Sequence, residues 1–454
     1  MAAQLNKNIR IGIIGAGPGG LGAAEALREK GYTNITVFEK RNRVGGQALS
    51  LQYNTPDHRK LIYELGSLQP VSSPNLYRLI KSYNLHIDKA VAKEDYGKHK
   101  ALYLKIYSCV EQKCLVDFAK YKTGFPMSQI KPLAADMIKL LSLLIKYRKL
   151  SAIGYLHLPQ DKFNELAIPY DTWIDQQHFA LLDTPLKMLG VAGTMANPEL
   201  KNELPAYIVL KFMYQCLKWP PTRLRYVNGS CRLIEEGYQE LWNRVAKQHH
   251  VILNAAITGI SRKNHQIEVT ANGKTHVFDK LIVTCSLQQA SHFLDVTEDE
   301  RALFSKIRYN SGWRVAFLAK NLPHDGVYSL KEHYLGKTHG CLTTFHAEGE
   351  VGDGVWLYTS AISDNRNEPI EPLLKEAEKL LRDEFHGEVI EWITKVFWSE
   401  YIPHCAPDDV RQGIYHKLEN LQGKNDTYFI GETFSGSMHA TVVDYAYAKV
   451  KAVF

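Results

Sequence analysis

The chain has 454 residues with 55 basic against 48 acidic side chains, a net charge of +7, and is long enough for two or three structural units. A hydrophobic fraction of 45% and a charged fraction of 23% are those of a globular protein, excluding a disordered tail, a collagen repeat or a coiled coil. The small basic excess is dispersed, which predicts a solvated surface and no nucleic-acid partner.

The first predicted element is a short buried strand in "RIGIIG" (Arg10 to Gly15), followed by a helix in "PGGLGAAEALREKGY" ending near Gly31, and a second strand in "NITVFEK". Gly15, Gly17 and Gly20 have the G-x-G-x-x-G spacing at the strand-to-helix turn, with Pro18 and Gly19 between them. The first glycine permits the tight turn, the second lets backbone approach a pyrophosphate, and the third lets helix lie on strand. The helix tip offers free N–H groups and partial positive charge to phosphates. Glu39 closes the second strand, where a carboxylate can accept hydrogen bonds from a ribose. Strand, helix, strand and acid in register predict dinucleotide binding.

Next come the basic loop "KRNRVGGQ" (Lys40 to Gln47), with Gly45 and Gly46, and "YELGS" (Tyr63 to Ser67). On these motifs the chain resembles the flavin-containing amine oxidase superfamily, whose members follow the Rossmann acid with an Arg-x-Gly-Gly turn covering FAD. The resemblance implies FAD as cofactor, with Lys40, Gly45, Gly46 and Gln47 around it and Leu65, Gly66 and Ser67 near the flavin. This chain departs from the family at Gln47, where an arginine is usual.

Further on, "PLAADMIKLLSLLIKYRKL" (132–150) sets Asp136, Lys139, Ser142, Lys146 and Lys149 along one helix face. No run reaches the ~18 apolar residues of a bilayer span, so this helix is expected to pack on its own protein, with lining a lipophilic pocket or peripheral membrane contact as the alternatives. "PAYIVLKFMYQCLKW" (205–219) predicts another helix, and "VNGSCRLIEEGYQELWNRVA" (227–246) a turn and helix leading back to the first domain. Alternating strands follow from Val251 to Ser286, with an Asn272–Gly273 turn. The resemblance puts the Ile257 backbone on the adenine. In the terminal stretch "DTYFIGETFSGSMHATVVDYAYAKVKAVF" it puts Gly431 and Glu432 at the ribityl chain, and Ala440, Thr441 and Val442 at the flavin O2 edge. A helix starting near His439 would stabilise negative charge there.

The implied fold is α/β: a discontinuous Rossmann-like FAD-binding domain of the amine-oxidase type (1–85, 222–290 and 395–454) with an inserted α+β substrate-binding domain (86–221 and 291–394). The pocket is expected between the two. Three functional readings compete. An amine oxidase expects an aromatic cage and often a lysine near N5; "SGSM" puts Ser437 at the cage position, and "LQQASHFLDV" offers no lysine. A desaturase-type oxidoreductase acting on another small molecule belongs to the same class. Secondly, residues 401–432 and "ELPAYIVLKF" (203–212) resemble bacterial FAD-dependent polyunsaturated fatty acid isomerases. That implies redox-neutral hydride movement between flavin N5 and a lipophilic, anionic substrate, without a dedicated general base. A non-catalytic FAD-binding scaffold is the third.

Lys98 or Lys100 could hold a substrate carboxylate, and Trp398, Tyr401 and His404 could line flavin or substrate, although packing is the blander role for each. Cys405 lies where some amine oxidases attach FAD covalently, with a free thiol as the alternative. Seven cysteines without a CxxC pair suggest reduced thiols and a cytoplasmic location. No histidine spacing suits a metal, and no Gly-x-Ser-x-Gly elbow supports hydrolysis. The oligomeric state is left open.

Overall fold

The computed structural model describes residues 6–66, 73–87, 104–117, 127–194, 204–218, 234–336, 340–363 and 369–454. Strand β1 (Ile11–Ile14) is buried along its whole length. It lies parallel between β2 (Ile35–Phe38) and the strand Lys280–Val283, with Ile13 opposite both Val37 and Ile282. Thr427–Phe429 and His250–Ile252 complete a five-stranded parallel sheet. Continuous apolar strands are what a parallel sheet covered on both faces requires.

Helix α1 (Pro18–Glu29) follows β1 directly and packs along the C-terminal helix His439–Val453. The two helices approach closely at Gly22, where an added Cβ would lie 3.6 Å from the Ala446 methyl. An antiparallel meander, Ile257–Lys263, Gln266–Ala271 and Lys274–Phe278, sets Phe278 against Gly12 and edge-on to Phe38. Its last turn has positive φ at Asn272 and Gly273, as the Asn-Gly pair predicts. These elements match the expected α/β, Rossmann-like architecture.

A second sheet has seven strands in the order Glu388–Cys405, Ile307–Lys320, Val355–Ser363, Leu342–Gly352, Val327–Leu330, Leu104–Ser108 and Lys113–Asp117. Along Ile307–Lys320, Val315, Phe317 and Ala319 join a core under the helix Ile370–Phe385. Ala316 and Leu318 join the main core with the nucleotide-binding sheet. The period of two thus lets one strand serve two cores. Glu388–Cys405 is a single 18-residue strand paired with Ile307–Lys320 from end to end. The expected boundary at 394/395 falls inside it, so this strand is shared by the two expected domains.

The helix Met127–Lys146 differs from the sequence expectation. Leu140, Leu143 and Leu144 do pack against the main core. Yet Asp136, placed on the polar face, is buried, and its carboxylate accepts from the N–H groups of Ala180, Leu181 and Leu182 at 3.0, 2.7 and 3.0 Å. Lys139 reaches inward to the carbonyls of Gln177 and His178. Ile130, Ile138, Leu141 and Ile145 face solvent instead.

Candidate active site

A cavity of about 490 Å³ opens where β1 gives way to α1. The helix tip enters it bare: Gly17 carries no side-chain cap, and Gly17, Pro18 and Gly19 line the wall. Its first N–H groups therefore point toward the cavity without an internal acceptor from a capping side chain. Gly15 sits at φ +104°, where only glycine is unstrained. A Cβ on Gly20 would stand 1.9 Å from the Gly15 carbonyl oxygen, so helix and turn can close only on a glycine. Thr284, at the end of the neighbouring strand, donates its hydroxyl to Ile14 O at 2.8 Å and holds the same turn.

Glu39 lines the cavity at the end of β2. Its carboxylate accepts from Ala16 N–H and Arg41 N–H, both at 2.9 Å. The second glycine pair packs over the first turn: Gly45 N–H donates to Ala16 O at 2.8 Å, and a Cβ on Gly46 would lie 3.1 Å from Gly17 Cα. Arg41 and Arg43 both donate to the Gly46 carbonyl, at 3.0 and 2.9 Å. Burial lowers the Arg43 guanidinium to about 10, still protonated at neutral pH. Gln47 sends its amide to Glu400 O at 2.8 Å, tying the loop to the long strand of the second sheet. Lys40 donates to Gln289 Oε1 at 2.6 Å, and Gln289 in turn reaches the Glu400 carboxylate.

At the other end, Gly431 and Glu432 line the cavity beside Pro403 and Val442. The Glu432 carboxyl, part-buried, lines the cavity among protein atoms that displace much of its hydration. This desolvation raises it to about 7 against the opposing pull of Ile402 N–H. His439, first residue of the C-terminal helix, stacks obliquely on Tyr238 at 5.1 Å, and burial lowers it to about 4, so it is neutral at pH 7.

Thus Gly15, Gly17, Pro18, Gly19, Glu39, Lys40, Gly46, Gln47, Ile257, Gly431, Glu432 and Val442 share one cavity. Gly20, Gly45, Leu65, Gly66, Ala440 and Thr441 do not line it; Thr441 lines a separate small pocket together with Ser437. Ser67, Lys98 and Lys100 lie outside the described residues. Trp398, Tyr401 and His404 are buried away from this wall. Trp398 donates Nε1–H to Leu65 O at 2.7 Å, and His404 Nδ1 meets Ile402 O at 3.0 Å. Cys405 is fully buried and does not line the cavity, its thiol pushed up to about 12 by burial, whereas Cys285 does line it. The sequence reading passed over Arg41, Thr284, Tyr309 and Glu400 as cavity residues. The basic loop Lys40 to Gln47 contains the first, and the second follows the strand Lys280–Val283 directly; Tyr309 and Glu400 arrive from the second sheet without a local pattern.

The sequence profile of the family described as flavin containing amine oxidoreductase matches residues 18–448. The chain belongs to this family. Being a flavin containing amine oxidoreductase, it is an enzyme that uses FAD, and the uncapped helix tip, bare glycines and cavity-facing Glu39 fit a dinucleotide. Among solved structures it is similar to a fatty acid isomerase from P. acnes that produces CLA, with a TM-score of 0.82 and 22% identity over 99% of this chain and 100% of that one. It is also similar to cyclohexylamine oxidase from Brevibacterium oxydans IH-35A, with a TM-score of 0.70 and 13% identity over 98% of each chain. Local sequence matches include tryptophan 2-monooxygenase of Pantoea agglomerans pv. gypsophilae (38% identity over 77 residues) and polyenoic fatty acid isomerase of Ptilota filicina (44% over 55). They cover 17% and 12% of this chain, and only 14% and 11% of those relatives.

Proposed function

We propose that this flavoenzyme moves a hydride away from a lipophilic, unsaturated, fatty-acid-like substrate and returns it at another carbon, shifting a double bond without net redox change. The observation that carries the reading is the wall at Gly436–Met438. There Ser437 takes the position that the resemblance gives to the amine-oxidase cage aromatic, in a pocket of about 10 Å³ lined also by Tyr155, Ile208, Lys211, Phe212, Gln215, Ile402, Met438 and Thr441. Serine at this position removes a ring face that would hold an ammonium group, and the Lys211 ammonium in the same lining disfavours a second cation there. The similarity to two fatty acid isomerases, one along the whole chain, supports the same reading.

FAD supplies the hydride-accepting centre, and the protein supplies binding, orientation and electrostatics. In this reading the α1 tip binds the pyrophosphate through backbone N–H groups, Glu39 accepts from the adenosine ribose, and Glu432 meets the ribityl hydroxyls. The first turn of the C-terminal helix, at Ala440 to Val442, favours negative charge at the flavin edge. Loss of hydride from the carbon between two double bonds leaves a cation spread over both. Its return at an end of that system conjugates the diene, with no proton gained or lost.

Anaerobic incubation with linoleic acid is the test: conjugated-diene absorbance should rise while the flavin spectrum stays oxidised. Flavin reduction or oxygen uptake driven by amines, with linoleate inert, would overturn the reading in favour of amine oxidation.

A further inference from the structure

We propose that the helix Met127–Lys146 docks this protein onto an anionic lipid surface. Ile130, Ala134, Ile138, Leu141 and Ile145 recur at three- and four-residue steps, so they form one stripe roughly 22 Å long at 1.5 Å per residue. The stripe is exposed: Ile138 by 69%, Leu141 by 54% and Ile145 by 63%, with Met127 at the helix start by 87%. A contiguous apolar ridge of this kind marks an interaction surface.

The orientation is built in. Asp136, on the opposite face, is anchored by three backbone N–H groups; burial pushes its carboxyl up, and those bonds outweigh it and hold it below its ordinary value. Lys139 is drawn inward beside it by two carbonyls. Turning the stripe inward would break all five contacts.

Charge identifies the occupant. Asp136 is the only acidic residue of the helix, and it is buried. Lys131 is exposed along one border of the stripe, and Arg148 and Lys149 are exposed just past the helix end. Lys146, also exposed on that border, pairs with Glu165 at 2.6 Å. An apolar ridge flanked by basic side chains is the signature of a helix lying in the interface of an anionic bilayer, its lysine heads among phosphates. Among the described residues no helix is long and apolar enough to cross a membrane, so the contact is peripheral. The proposal does not depend on the substrate.

The test is co-sedimentation of the FAD-loaded full chain with phosphatidylcholine vesicles, with and without phosphatidylglycerol. The wild type should bind the anionic vesicles, more weakly as salt rises. Ile138→Glu with Leu141→Glu should lower the affinity at least tenfold while circular dichroism and flavin content stay unchanged. Lys131→Gln with Lys149→Gln should weaken binding to anionic vesicles only. Failure of the wild type to sediment, or full binding by the double glutamate variant, would overturn the proposal. So would a wild-type dimer in light scattering that the glutamates dissociate, because a second copy would then cover the stripe.

Discussion

Gly66 has no room for a side chain: a Cβ there would stand 1.6 Å from the Gln47 carbonyl oxygen. That contact is backbone on backbone, so no rotamer relieves it, and Gly66→Ala must displace the loop that carries Gly45 and Gly46. The expected cost exceeds ~3 kcal/mol, read as a large fall in thermal midpoint and in the flavin-to-protein absorbance ratio. Gly273→Ala is the control. Its φ is +73° but nothing lies within 4 Å, so it should cost only about 1–2 kcal/mol and keep its flavin. Glu432 makes a second prediction at this scale. Burial raises its carboxyl from 4.5 to about 7, so the FAD-free folded chain holds a proton that the unfolded chain releases. The stability this proton contributes is complete below pH ~4.5 and lost as pH rises to ~7, on the order of 3 kcal/mol. Glu432→Gln should abolish that loss, so thermal midpoints of FAD-stripped wild type and variant should diverge as pH is raised from 5 to 8.

Among the elements, the strand Glu388–Cys405 does the most to join sheet to cofactor cavity. Trp398, on this strand, donates to Leu65 O, and Glu400 O receives the Gln47 amide. Trp398→Phe keeps the ring but leaves the Leu65 carbonyl without its indole donor, an expected loss of about 1–3 kcal/mol measurable by urea unfolding. This strand also shows where the sequence stops being legible. β1, α1 and β2 were readable because glycine spacing, apolar runs and Glu39 lie within 30 residues and encode a local geometry. The pairing of Ile307 with Cys405 or Lys320 with Glu388 is fixed by long-range packing, and no short window contains both partners. For the helix Met127–Lys146 the periodicity was visible but the direction of its faces was not. What turns it is the set of N–H groups at Ala180 to Leu182 that bind Asp136, over 40 residues away. Gln47 is a similar case. Beside a glycine loop it reads as a weakened phosphate contact, and the structure shows it spanning to Glu400.

For the molecule as a whole, the cavity draws its wall from both sheets: Gly15, Gly17, Glu39, Gln47, Ala255 to Ile257, Thr284 to Leu287, Tyr309, Glu400, Pro403, Gly431 to Phe434, and Val442. A ligand gripping all of these stabilises the folded chain by mass action, ~2.7 kcal/mol at a hundredfold excess over its dissociation constant. The shared strand dictates how that gain is distributed. Trp313, Trp356, Trp392 and Trp398, four of the seven tryptophans, lie in the second sheet, so tryptophan fluorescence reports mainly on the sheet farther from the nucleotide. Circular dichroism reports on both. If Glu388–Cys405 couples the sheets, adding FAD to the stripped protein should raise both thermal midpoints together by a few degrees. If each sheet melts by itself, FAD would move only part of the dichroism transition and leave the fluorescence midpoint in place. That outcome would mean the contacts of Gln47 and Trp398 with this strand are too weak to carry cofactor binding energy into the second sheet.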